Sequence, residues 1–345
     1  METKSFGKTR DGRETVLITL KNDEMECRVA DYGATLVSLR VPGKDGEARD
    51  VVLGFDSVEG YESHRAYFGA SIGRYANRIG GSSFELRGVR YDVTPNQPPN
   101  HLHGGASGFD KRVWDHAPIP GGVRFSLRSP DMDEGYPGNL DVSIEFTLER
   151  RALKIKYSAT SDADTVCNLT NHSYFNLDGH DAGTAMDHAL KLYSREYTPV
   201  ADAGCITSGE IAAVEGTPMD FREPTRIGER IDMGFEQLAF GSGYDHNWVV
   251  EGEIGKLRPA AEARGQKSGI AMKVETTLPG IQFYAGNLLT DCPPGKGGAG
   301  YGRRCAFCLE TQFYPDSPNK PSFPQPLLEK GGIWEHTTVF RFESR

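Results

Sequence analysis

Two polar residues sit inside stretches that are otherwise apolar. Glu310 lies in Leu309-Glu310-Thr311-Gln312-Phe313-Tyr314-Pro315, and His172 lies in Asn168-Leu169-Thr170-Asn171-His172-Ser173-Tyr174-Phe175-Asn176. Both stretches read as buried strands. A carboxylate in such a setting must be paired, neutralised or put to use. A carboxylate and an imidazole together are the parts needed to move protons near neutral pH.

Other polar groups could serve that chemistry. Ile72-Gly73-Arg74-Tyr75-Ala76-Asn77-Arg78-Ile79 places two arginines four residues apart, which in a strand puts them on one side. Surrounded by Phe68, Ala70 and Ile79, they call for bidentate acceptors or substrate oxygens. The glycines here have no Gly-Lys-Ser/Thr ending, so a phosphate loop is not indicated. Asn100-His101-Leu102-His103-Gly104-Gly105 puts two histidines on one face if extended, but zinc needs three or four ligands and no second cluster supplies them. Cys305-Ala306-Phe307-Cys308 has metal-ligand spacing, yet residues three apart in a strand diverge, and structural thiols are the better reading. Asp245-His246-Asn247 enters a strand, and Gln282 sits among apolar neighbours as a buried donor and acceptor.

The elements that must position these groups are short and β-like. Runs such as Val16–Leu20, Thr35–Val41, Val123–Leu127, Ala271–Thr276, Ile281–Ala285 and Thr338–Phe342 are rich in Val, Ile, Thr, Phe and Tyr, with turns between them. Asp141–Leu148 alternates most cleanly and forms a hairpin with Leu153–Tyr157. Val58–Glu62 and Ile227–Asp232 read as short helical turns. Many short strands and few helices indicate an all-β, large antiparallel β-sandwich. No linker or repeat divides the chain, so residues 1–345 are read as a single domain. The Pro-rich piece Pro315–Pro326 reads as a loop delivering the last strand.

Bulk properties set limits. With 48 acidic and 39 basic residues the net charge is -9, which argues against a nucleic-acid partner. No apolar run approaches the roughly 18 residues of a membrane helix, so no membrane partner is expected. Six irregularly spaced cysteines suit free thiols in a reducing compartment, and two glycosylation sequons fall inside the His172 stretch, where a sugar would disrupt packing. A cytoplasmic location is expected.

Taken together, the segments resemble the aldose 1-epimerase (galactose mutarotase) family. Gly73–Ile79, Asn100–Gly105, Gly108–Lys111, Glu134–Gly138, Asn168–Leu177, Asp245–Asn247, Gln282–Tyr284 and Glu310–Gln312 match its signatures in order, over nearly the whole chain. The tail Glu329–Trp334 departs, lacking a Pro-Gly-Glu pattern before the final strand. The resemblance implies the mutarotase supersandwich with the sugar in an open cleft. It implies Glu310 as general base and His172 as general acid. Arg78, His103, Asp245 and Gln282 would orient sugar hydroxyls, with Asn77 and Asn176 as further candidates. The implied substrate is a free aldohexose, such as galactose or glucose, whose α and β anomers interconvert by ring opening and closing. No cofactor and no metal are required. A monomer or homodimer is expected.

Three rival readings differ in chemistry. A hexose-6-phosphate 1-epimerase would need a basic pocket. A non-catalytic sugar-binding module would need hydroxyl partners but no acid–base pair. A structural β protein has only the sandwich pattern in its favour.

Overall fold

The computed structural model describes residues 1–344. Among the described residues most strands pair antiparallel in a nine-stranded, a six-stranded and a five-stranded N-terminal sheet, with four two-stranded pieces besides. The nine-stranded sheet runs in the order Asp115–Ile119, Gly122–Ser129, Leu140–Glu149, Ala152–Ser161, Ile333–Ser344, Ile270–Thr276, Arg258–Arg264, Ala189–Leu192, Thr225–Arg226. The six-stranded sheet runs Tyr174–Phe175, Phe307–Gln312, Gly280–Tyr284, Asp245–Val249, Glu196–Thr198, Ala212–Ala213. Residues 2–50 form a five-stranded meander.

Alternation explains the layers. Along Leu140–Glu149, Val142, Ile144, Phe146 and Leu148 are buried while the residues between them are not. They pair with Ala152–Ser161 over the full length of the hairpin, as the sequence pattern requires. In the six-stranded sheet Trp248, Ile281, Phe283, Phe307 and Leu309 join one core with Ile155, Val274, Phe340 and Phe342 of the nine-stranded sheet. Phe175 meets Phe340 across that core with ring centroids 5.3 Å apart. The opposite face of the six-stranded sheet is thereby left to Asp245, Gln282, Cys308 and Glu310.

Three local expectations change. His172 is not within a strand. It occupies a break between Thr170–Asn171, which pairs with Ser71–Ile72, and Tyr174–Phe175, which pairs with Phe307–Cys308. Its backbone is held there by Gly69 and Ala70, through bonds of 2.9 Å each. Of the helical turns, Val58–Ser63 is an α-helix, whereas the second shrinks to a 3-10 turn at Ile227–Glu229. The arginine pair diverges because Arg74 to Asn77 is not a strand and Asn77 has φ 64°. Arg78 turns to the cleft described below. Arg74 is buried at 2 % exposure and donates to the carbonyls of Ser129, Pro130, Tyr136, Pro137 and Gly138. It is a structural clamp on the loop after Gly122–Ser129. The two sequon asparagines are buried too, Asn168 against Ala76 and Phe313, Asn171 against Gly69.

A lysine cannot reproduce the planar fork of Arg74 and would strand several of these carbonyls. Arg74→Lys is expected to lower unfolding stability by about 3 kcal/mol, read as a lower urea midpoint at unchanged m-value. A midpoint within error of the parent would show that the clamp is dispensable.

Candidate active site

The antiparallel register brings the polar residues together. Asn247, Gln282 and Glu310 are cross-strand neighbours in one row, and Asp245, Tyr284 and Cys308 form the next. Both rows lie on the face turned away from the main core. Facing them, the break at His172 and the segments 63–67, 77–78 and 102–103 close a cavity of about 410 Å³. That volume suits a small ligand such as a single sugar ring. Its wall includes Tyr67, Asn77, Arg78, His103, His172, Asp245 and Glu310.

Glu310 is 2 % exposed, and its Oε1 stands 3.7 Å from His172 Nε2. Its Oε2 is buried with no hydrogen-bond partner among the described residues. Burial pushes the Glu310 carboxyl well above the usual range, Asp245 adds to the shift and Arg78 opposes it. Burial also lowers His172 to about 4. Both shifts disfavour charge on their own group, and a ligand that donates to the carboxylate would favour moving a shared proton from the carboxyl to the imidazole. His172 is sandwiched between Tyr67 and Tyr174, with centroids 5.8 and 5.1 Å away and planes tilted by 19° and 16°.

His103 is neutral as well, held well below its ordinary value by burial first and then by the neighbouring His172 and Arg78. Its Nδ1 accepts the Asn77 backbone N–H at 3.1 Å, so its Nε2 carries the hydrogen and is a donor. The loop that presents it requires a glycine at position 104. A Cβ there would lie 1.8 Å from the Gly73 carbonyl oxygen, and φ is +84°. His101, expected on the same face, instead packs away from the cavity on Thr94 and Tyr136. His103, His172 and Glu310 have ligand atoms within 4.8 Å of one another. With the free His103 nitrogen protonated, only two donors remain, too few for zinc.

The remaining candidates divide. Arg78 lines the cavity and donates from Nε to Gln97 at 2.7 Å. Asn77 and Asp245 also line it. Gln282, expected to touch a ligand, is one layer behind. Its Nε2 donates to Asp245 Oδ1 at 2.7 Å, which aims that carboxylate. Asn176 is fully buried and donates to the carbonyls of Gly183 and Cys305, so it is a scaffold residue. Sequence reasoning missed Tyr67, Arg65 and the rim Leu288–Asp291, none of which carries a local signal, and gave Tyr284 no role although it lies in the matched segment Gln282–Tyr284. A second cavity of about 410 Å³ lies across Tyr67, lined among others by Glu62, His64, Asp110 and Lys111, and it does not include Glu310 or His172.

Comparison with known proteins gives the family. The family model described as Aldose 1-epimerase matches residues 16–341. The chain belongs to the aldose 1-epimerase family. It is 43 % identical to the galactose mutarotase of Bos taurus over 98 % of this chain and 97 % of that one. Identity to the aldose 1-epimerase of Escherichia coli K12 is 39 %, with 96 % of each chain covered. The crystal structure of an aldose epimerase homologue from C. elegans superposes with a TM-score of 0.87 at 32 % identity, covering 95 % of this chain and 99 % of that one. Galactose 1-epimerase from Lactobacillus acidophilus gives a TM-score of 0.86 at 29 % identity, with 99 % and 98 % covered. As a family member the protein is an isomerase with the β-rich fold of its relatives. Among the described residues no helix is long and apolar enough to cross a membrane.

The buried pair has a stability signature. A carboxyl whose folded pKa is raised binds more protons in the native than in the unfolded state, so it costs stability increasingly as pH rises above its unfolded pKa. Glu310→Gln removes that cost. It is expected to stabilise the fold by about 1–2 kcal/mol at pH 7.5, with the gain vanishing near pH 4, where the carboxyl is protonated in both states. Urea unfolding at the two pH values checks this; a destabilised variant at pH 7.5 would contradict the burial argument.

Proposed function

We propose that this chain interconverts the α and β anomers of free aldohexoses such as galactose and glucose, with Glu310 as general base and His172 as general acid. The observation that carries the reading is the unpartnered, buried Glu310 Oε2 beside His172 on the wall of a sugar-sized cavity. The names of the relatives, galactose mutarotase and aldose 1-epimerase, support the same substrate class.

The chemistry follows from the placement. Glu310 accepts the proton of the C1 hydroxyl while His172 gives its Nε2 proton to the ring oxygen. The bond from C1 to the ring oxygen breaks and an aldehyde forms. Rotation about the C1–C2 bond presents the other carbonyl face, and closure returns both protons. The shared proton thus passes from imidazole to carboxylate through the substrate and back, with no net change. Arg78 counters the charge on Glu310, and His103, Asn77 and Asp245 offer donors and acceptors to the hydroxyls. In this reading Gln282 acts by aiming Asp245.

Free rather than phosphorylated sugar is supported by the charge on the wall. Arg65 and Arg78 are accompanied there by Asp245, Asp291 and Glu310. A dianion needs several cationic donors converging on one point, and neighbouring carboxylates repel it. Six free cysteines, five of them buried, support a reducing, cytoplasmic setting.

Polarimetry with fresh α-D-galactose and α-D-glucose tests the activity. EDTA-treated protein is expected to accelerate the approach to equilibrium. Glu310→Gln and His172→Asn should each lower kcat by about 10²–10⁴-fold, and the double variant should lose little more, because the pair acts as a unit. Undiminished turnover by Glu310→Gln would overturn the assignment. In a separate comparison at matched ionic strength, kcat/KM for glucose should exceed that for glucose 6-phosphate. A preference for the phosphate that weakens with salt would favour the phosphosugar reading.

A further inference from the structure

The strand that carries the base also carries a group in contact with the acid. Cys308 is two residues before Glu310 and therefore on the same face of Phe307–Gln312. Its Sγ lies 3.5 Å from His172 Nδ1. It is fully buried and stands between Tyr174 and Tyr284, its partners on the two neighbouring strands. Spacing alone treated this cysteine like Cys305, as packing.

The acid role of His172 makes demands on its Nδ1. The imidazolium carries hydrogen on both nitrogens, and after Nε2 releases its proton the ring must keep the one on Nδ1. That hydrogen needs an acceptor which holds the ring in register without steadying the imidazolium. A carboxylate at this position would hold the ring but would raise its pKa. The ring oxygen of a sugar is a weak base, so a weaker acid would transfer its proton less readily. A neutral thiol is a weak acceptor and carries no charge. Burial, reinforced by Glu310 and Asp245, raises the Cys308 thiol well above its ordinary value, so it stays protonated.

The other groups packed on His172 do not take this place. Tyr67 and Tyr174 cover its two faces, His103 meets it edge-on at 5.2 Å, and Glu310 faces Nε2. Arg78 and Asp245 line the same cavity, and Lys111 lies over the Tyr67 ring at 5.4 Å. Among the described side chains Cys308 is the one in hydrogen-bonding contact with Nδ1, and the backbone of His172 itself also favours the protonated ring.

We propose that Cys308 is a positioning residue for the general acid, its sulfur accepting the Nδ1 hydrogen of His172 so that Nε2 faces the substrate while the imidazolium remains strongly acidic. The proposal rests on the reading of His172 as the acid. It is tested with Cys308→Ala and Cys308→Ser in the full-length protein, by polarimetric kcat and KM across pH and by the ¹⁵N shifts of the His172 ring. Cys308→Ala should lower kcat about tenfold, with KM within about twofold, and the ring shifts should report a mixture of tautomers. Cys308→Ser, with a stronger acceptor, should restore the Nδ1–H tautomer and most of kcat while moving the acid limb of the profile to higher pH.

Parental kcat, pH profile and ring shifts in both variants would overturn the proposal. So would reduced turnover with unchanged ring shifts and an unmoved acid limb, which marks a packing effect. Should the alanine variant fail to fold, the acid limb and ring shifts of the serine variant decide alone. A parent enzyme without mutarotase activity would instead overturn the reading beneath it, and the ring shifts separate the two because they do not depend on turnover.

Discussion

A buried carboxylate lies 3.7 Å from a buried imidazole, and the surrounding side chains are arranged about that contact. Neither group is stable as an isolated charge in that setting, since burial drives the Glu310 carboxyl up and the His172 imidazole down. The fold accepts this cost and surrounds the pair with groups that limit it. Arg78 is near enough to favour the charged carboxylate, and the tyrosine sandwich keeps the imidazole plane fixed. A site so arranged can exchange protons with a bound hydroxyl and a bound ring oxygen without waiting for solvent.

Behind the cavity wall lies a second tier that aims the first. Gln282 does not line the cavity and donates to Asp245, which does. Gln312, one step further along the strand after Glu310, supports Gln282 in turn through a long contact of 3.5 Å. On the other side of the cavity the Asn77 backbone fixes the His103 tautomer, and Asn77 itself has φ 64°. Tyr67, the ring against His172, likewise has φ 57°. Left-handed backbone at side-chain-bearing residues is unfavourable and persists where the surroundings impose it. With His103 at φ 50° and Asp291 at φ 52°, four such residues on one cavity wall mark where geometry was kept at the expense of local preference.

The protein also separates arginines by environment rather than by spacing. Arg74 and Arg78 are four residues apart, yet one clamps a loop through backbone carbonyls and the other faces the cavity. The division follows from the irregular backbone between them. A regular strand would have placed both on one side and left either the loop or the cavity without its cation.

The class of fold was legible in the chain, because alternation in segments such as Leu140–Glu149 allows only one face of each strand to be buried. The sequence also singled out Glu310 and His172, since a charged or titratable group in an apolar run needs a reason. The ordered motifs carried the family. Which polar groups meet was settled by packing. The register of three strands placed Gln282 behind Asp245 and Cys308 against His172, and chain segments far apart in sequence supplied Tyr67 and Arg65. Local patterns encode which face a side chain takes. They do not encode which residue of a distant strand stands opposite, because that is fixed by the packing of the whole sandwich.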